Sequence, residues 1–126
     1  MSKANAALSE QFIMAFNGGN LDEVMSFFSD DATFVALDGA IHDGRDQIRR
    51  VLAEIVGTVK FETIDQFADT AAGWVAATWR LHQTYQDKPV WWEGIDVLHW
   101  HRGKVRFKGT YGKCVVPAIQ SSGLGK

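Results

Sequence analysis

The stretch Val90-Trp91-Trp92-Glu93-Gly94-Ile95-Asp96-Val97-Leu98-His99-Trp100 reads as one long strand in which a lone acid faces aromatic neighbours. Side chains alternate across a strand, so Trp92, Gly94, Asp96, Leu98 and Trp100 share one face. Glu93, Ile95, Val97, His99 and His101 take the other. A carboxylate on a buried face between indoles costs several kcal/mol unless it finds a partner, a proton or a hydrated cavity. Asp96 is therefore the clearest pointer to function, and its face is assigned to a cavity.

Working outward, strands are expected at about 58–67, 74–85, 90–101 and 104–116, with turns at 69–73, 86–89 and 101–103. Long strands on short connections form an antiparallel meander. The first half is helical. Leu8, Phe12, Ala15 and Phe16 recur at three and four, a buried stripe of about three turns that Gly18-Gly19 ends. Asn20 and Glu23 have capping-box spacing before a short helix that buries Leu21, Val24, Phe27 and Phe28. Asp30-Asp31 breaks this pattern, and residues 32–37 read as a strand that turns at Asp38-Gly39 and returns through Ala40-Ile41-His42. A third helix opens at Asp43 or Gly44, buries Ile48, Val51, Leu52 and Ile55, and ends at Gly57. Helices followed by a long sheet predict an α+β domain, with three N-terminal helices packed on a strongly curved antiparallel sheet. A ligand pocket belongs in its concave mouth.

The 126 residues make one domain, expected over 1–118, with a flexible tail over 119–126. Fifteen acidic against thirteen basic residues give no basic excess for nucleic acid. No apolar run is long enough for a membrane span or a signal peptide, so a cytoplasmic protein is expected. The single Cys114 excludes an internal disulfide and a Cys-rich metal site, and is expected to be an inert thiol. His99 and His101 share a face but lack a third ligand, so no metal is expected.

Three strings resemble a known group: Phe27-Phe28-Ser29-Asp30-Asp31-Ala32-Thr33-Phe34, His42-Asp43-Gly44-Arg45 with Ile48, and Gly94-Ile95-Asp96-Val97-Leu98 with Gly103-Lys104-Val105. They are similar to the NTF2-like superfamily, within it the ketosteroid-isomerase and SnoaL-like polyketide-cyclase group. The resemblance spans about residues 6–113. It implies a cone-shaped, strongly bent sheet with three helices and a homodimer through the convex face. It places Asp96 where ketosteroid isomerases keep a protonated Asp that donates to the substrate oxyanion, near the acid/base Asp of SnoaL-like cyclases. Phe12 stands in place of the isomerase's oxyanion Tyr, and Ala36 in place of its general base, with Asp38 two residues on. Steroid isomerisation by that mechanism is not expected.

Pairing through the 86–89 turn puts Gln83 opposite Trp92 and Trp79 opposite Asp96, with Leu81 between. The last hairpin has two registers. A three-residue loop 101–103 with Gly103 at positive φ sets Lys108 opposite Asp96 and Thr110 beside Gly94. A two-residue loop turns Phe107 and Gly109 inward instead. The resemblance favours the first. Phe12, Phe16, Trp79, Leu81, Trp92, Leu98 and Trp100 then wall the cavity, while Gln83, Lys108 and Thr110 supply polar contacts. Burial favours the neutral acid at Asp96, and the Lys108 ammonium favours the carboxylate. The expected function is binding of an apolar, carbonyl-bearing small molecule, with cofactor-independent proton transfer of the isomerase or cyclase type and Asp96 as acid/base. The alternative is a non-catalytic ligand-binding or dimerisation domain in which Asp96 and Lys108 neutralise each other.

Overall fold

The computed structural model describes residues 2–69 and 71–113; Cys114, the end of the last expected strand, the 118 boundary and the tail lie outside the described residues. Helix α1 (Ser2–Gly18) is followed by α2 (Leu21–Met25), β1 (Phe28–Val35), β2 (Ile41–Asp43), α3 (Arg45–Leu52), β3 (Lys60–Asp69), β4 (Trp74–Tyr85), β5 (Lys88–His101) and β6 (Lys104–Lys113). Six strands form one sheet in the order β2-β1-β6-β5-β4-β3. The meander from β3 to β6 is antiparallel, and β1 joins its end in parallel with β6.

Several boundaries differ from expectation; α3, for one, ends at Leu52 and not at Gly57. Helix α1 starts at Ser2, because the Ala-rich stretch before Leu8 favours helix without showing an apolar period. Strand β1 starts at Phe28 and runs through Asp30-Asp31, whose side chains face solvent. Ser29 Oγ donates to Asp31 Oδ1 at 2.9 Å, and Arg106 Nε lies 3.8 Å from the same carboxylate. The Ser29 bond, chiefly, holds the Asp31 carboxyl below the usual carboxylate range. Asn20 caps α2 as its spacing implies, its Oδ1 accepting from the Glu23 N–H at 3.1 Å.

The helices are fastened to the sheet by polar side chains as well as by the core. Asn17 at the end of α1 pairs like a strand residue with edge strand β3, donating to Phe61 O and accepting from Phe61 N–H, each at 2.8 Å. Arg45 at the start of α3 donates to the carbonyls of Met25 and Phe28. Phe12, Phe28, Leu98 and Trp100 form the core between α1 and the sheet, where Trp100 Nε1 donates to the buried Ser9 hydroxyl at 2.8 Å.

Curvature comes from irregular registers. One residue on β3, Ile64, and one on β6, Arg106, have no partner, and β1 slips against β6 between Phe28 and Thr33. An unpaired residue bends and twists its strand. The hairpins also differ from expectation. Strands β4 and β5 are joined by only Gln86-Asp87, both at positive φ, closing Tyr85 on Lys88. Pro89 is one step beyond this closing pair, where its missing N–H points away from β4. The register therefore shifts by two: Trp79 lies opposite Gly94, Leu81 opposite Trp92, and Gln83 opposite Val90. The shift is even, so every side chain keeps its expected face.

The β5–β6 hairpin starts in the two-residue register considered from sequence and, past a bulge, follows neither of the two. Its loop is the two-residue Arg102-Gly103, both at positive φ, pairing His101 with Lys104 and Trp100 with Val105. Arg106 then bulges, and beyond it His99 pairs with Phe107, Leu98 with Lys108 and Asp96 with Thr110. The extra residue flips the alternation, so Lys108 and Thr110 face inward after all. Asp96 is opposite Thr110, not Lys108.

Gly94 and Gly112 are paired on the concave face, and the indoles of Trp79 and Trp92 cover them. A Cβ on Gly94 would come within 2.4 Å of Tyr111 O and 2.5 Å of the Trp79 ring. Because one obstacle is backbone, rotating the indole cannot relieve it. Gly94→Ala is expected to destabilise the fold by about 1–3 kcal/mol, read as a lower urea midpoint with a changed near-ultraviolet tryptophan signal. Unchanged values for both would contradict this packing.

Candidate functional site

Register sets which concave-face side chains are neighbours. His42, Phe34, Lys108 and Leu98 form one row across β2, β1, β6 and β5. In a second row Thr110 lies beside Asp96, and Asp96 beside Ala77. Gly112, Gly94 and Trp79 make a third, and Trp92, Leu81 and Phe61 a fourth. Polar groups are thus gathered at one end and aromatic rings at the other.

A cavity of about 420 Å³ lies over these rows, closed on the opposite side by Val51, Leu52, Ile55 and Val59. Exposed Asp38, Ala40 and Thr58 stand at its mouth, and buried Phe16, Leu52 and Trp79 at its depth. Its aromatic wall is a continuous edge-to-face series. Phe16 meets Phe61 at 5.0 Å between centroids, Phe61 meets Trp79 at 4.9 Å, and Trp79 meets Trp92 at 5.4 Å. Interlocked rings of this kind resist rearrangement, so the wall is preformed for an apolar body.

At the polar end three side chains form a closed set. Thr110 Oγ1 donates to Asp96 Oδ1 at 2.8 Å; Lys108 Nζ donates to Thr110 Oγ1 at 2.8 Å and to Asp96 Oδ1 at 3.3 Å. Lys108 Nζ also lies 4.6 Å from the centroid of Phe34, in cation–π contact. Asp96 is 2% exposed and Lys108 5%. Lys108 and Thr110 line the cavity, whereas Asp96 sits behind them and does not. The arrangement holds a cation at the cavity wall by means of a carboxylate in the layer beneath.

Of the residues expected to contact a ligand, Phe16, Trp79, Leu81, Gln83, Trp92, Lys108 and Thr110 line the cavity. Phe12, Leu98 and Trp100 do not: they lie in the core between α1 and the sheet. Gln83 does not serve Asp96, since its Oε1 accepts from Trp92 Nε1 at 2.9 Å, which leaves its amide group to steady that indole. Trp79 Nε1 is buried with no partner among the described residues, a cost of about 1–3 kcal/mol.

His42, like Phe34 and Phe61, lines the cavity without having been expected there, since the sequence gives His42 and Asp43 to a hairpin end and a helix cap. It is on β2, stacked on Phe34 with centroids 5.8 Å apart and planes 28° apart. Its neighbour Asp43 points the other way, accepting from Thr33 Oγ1. Ala36, in the place of the isomerase base, lines the cavity as a methyl group. On the convex side, His99 Nε2 bonds to Ala72 O at 3.0 Å.

Removing one partner of the buried pair strands the other charge. Asp96→Ala is expected to cost about 3–5 kcal/mol in urea unfolding, and Lys108→Met in the same background to recover most of it. A double variant no more stable than Asp96→Ala would show that the two residues do not compensate each other.

Comparison with known proteins agrees with this geometry. No functionally curated protein matches the chain significantly. Among solved structures, a candidate polyketide cyclase from Xanthomonas campestris pv. campestris superposes with a TM-score of 0.81 at 16% identity, covering 98% of each chain. SalBIII, an epoxide hydrolase/cyclase-like enzyme of pyran ring formation in the polyether salinomycin, gives 0.81 at 18% identity over 88% of this chain and 92% of its own. A candidate polyketide cyclase from Silicibacter sp. TM1040 gives 0.79 at 19% identity over 94% of both. These likenesses establish the NTF2-like fold. The SnoaL-like domain model matches residues 9–107, and the chain belongs to that family.

Proposed function

We propose that the cavity binds an apolar small molecule bearing a carbonyl group, and that the site carries out cofactor-independent proton transfer of the isomerase or cyclase type. The observation that carries this reading is the Lys108–Thr110–Asp96 set at one end of an otherwise aromatic cavity. An apolar body would lie against Phe16, Phe61, Trp79 and Trp92. Its carbonyl oxygen would take a hydrogen bond from Lys108 Nζ, which would strengthen as negative charge develops on that oxygen. Asp96 pairs with Lys108 from beneath the cavity wall, and an acid/base role for it would run through the Thr110 hydroxyl that bonds to both. The cyclase descriptions of several structural neighbours are compatible with carbonyl chemistry.

A second reading has a specific observation in its favour. Asp96 is off the cavity surface and Ala36 offers no acid, as a binding protein without catalysis would have it. Both readings share the ligand. Tryptophan fluorescence with 1-indanone, a two-ring aryl ketone, and indane, its hydrocarbon counterpart, tests that ligand directly. The ketone is expected to bind more tightly, and Lys108→Met to weaken it by about 10–100-fold while leaving indane unchanged. Equal affinities for ketone and hydrocarbon would remove the carbonyl from the proposal. Native mass spectrometry of freshly purified protein should also show a co-purified apolar ligand.

We further propose a cytoplasmic protein that pairs with a second copy through the convex face of the sheet. No helix among the described residues is long and apolar enough to cross a membrane. The convex face exposes Phe67 at 61%, Trp74 at 39% and Tyr111 at 62%. Arg80–Glu93 and Arg106–Asp31 pairs lie around them, charges of both signs that suit a self-complementary contact. Analytical ultracentrifugation should find a dimer that Tyr111→Asp converts to monomer; a wild-type monomer at high concentration would refute the pairing.

A further inference from the structure

We infer that His42 is the base of this site, taking a proton from the carbon next to a ligand carbonyl held by Lys108. The inference rests on the carbonyl reading above and gives the α-proton to His42 in place of Asp96, which does not line the cavity. Among the described residues, three titratable side chains line the cavity: Asp38, His42 and Lys108. Lys108 is committed as a cation to Asp96 and Thr110. Asp38 is exposed at the mouth, and its Oδ1 accepts from the Ala40 N–H at 2.9 Å within the turn. His42 alone of the three has no hydrogen bond from its side chain among the described residues. An imidazole in its neutral form offers one acceptor nitrogen.

The spacing suits the reaction. The Phe34 ring is flanked by both groups, with Lys108 Nζ 4.6 Å and the His42 centroid 5.8 Å from its centroid. Cation and imidazole are therefore no more than about 10 Å apart along one wall. A carbonyl oxygen bonded to the lysine, its adjacent carbon and a nitrogen reaching that carbon's proton together span about 8 Å, using hydrogen-bond reaches of about 3 Å. Phe34 acts as the spacer. In the step itself, His42 nitrogen forms a bond to the α-proton as the C–H bond breaks. The electron pair moves into a new C=C bond, and the C=O pair moves onto oxygen as an enolate under Lys108 Nζ. The imidazolium then returns a proton to the same or a conjugated carbon, so nothing is consumed. The cavity of about 420 Å³ has room for a one- or two-ring ketone.

The test is deuterium uptake at the α-carbon of 1-indanone in D2O, followed by proton NMR, with dissociation constants measured in parallel. The wild-type protein is expected to accelerate uptake. His42→Gln and His42→Asn are expected to lower that rate by about 100-fold while the dissociation constant stays unchanged, both variants being checked for native circular dichroism. Uptake that persists in both variants and disappears in Asp96→Asn would overturn the inference and make Asp96 the base. Ketone binding to wild type without accelerated uptake would overturn it too, leaving the binding reading intact. Absence of ketone binding to wild type would instead bring down the carbonyl reading, and the inference with it.

Discussion

Burying a lysine beside an aspartate is close to break-even, and that balance governs the design of the sheet. At 3.3 Å the attraction is about 5 kcal/mol at an effective dielectric of about 20, while desolvation costs several kcal/mol for each ion. The pair alone does not win. Two additions tip it: the Thr110 hydroxyl, which accepts from the ammonium and donates to the carboxylate, and the Phe34 ring face beneath the cation. Each depends on register. Without the Arg106 bulge the alternation set by the two-residue loop would turn Phe107 inward and Lys108 to solvent, leaving Asp96 uncompensated. Bulge, pair and curvature are one device.

The sequence discloses the face of each strand more readily than its partner. Period-two alternation around Asp96 correctly separates Trp92, Gly94, Leu98 and Trp100 from Glu93, Ile95 and Val97, because alternation is a local property. Partners depend on turns. Gln86-Asp87 contains no glycine, so a loop in which both residues take positive φ leaves little trace, and the turn was expected to extend to Pro89. The Arg106 bulge left none at all, since arginine has no preference that marks an unpaired position. Helix starts were legible where a cap supplied them, as at Asn20, and not where propensity alone extends the element, as at Ser2.

The cavity was less legible than the fold. The aromatic residues on its wall and those in the core beneath have the same composition and the same inward direction. Trp79 and Trp92 line the space while Phe12 and Trp100 do not, and the difference is where α1 covers the sheet. A single sequence does not record that boundary. His42 was obscured for another reason: three residues of β2 are too few to show a period, and a neighbouring helix start gave Asp43-Gly44 an adequate local explanation. Solved structures at 16–19% identity share the fold; the character of the cavity is set by the side chains of this chain.

The electrostatics of the polar end narrow the ligand further. Among the described residues Lys108 is the one lysine or arginine on the lining, and Asp96 balances its charge from the layer behind, so the cavity sees a dipole with its positive end forward. A ligand carboxylate would gain the near ammonium but meet the carboxylate directly behind it, while losing its own hydration in an aromatic enclosure. A neutral carbonyl loses far less hydration and still aligns its oxygen with the forward end of that dipole. When such a ligand becomes an enolate, negative charge arises only after water has been excluded, where one ammonium counts most. Under the proposed carbonyl reading, the same neutral pair would bind anions weakly and yet stabilise an anion formed in place.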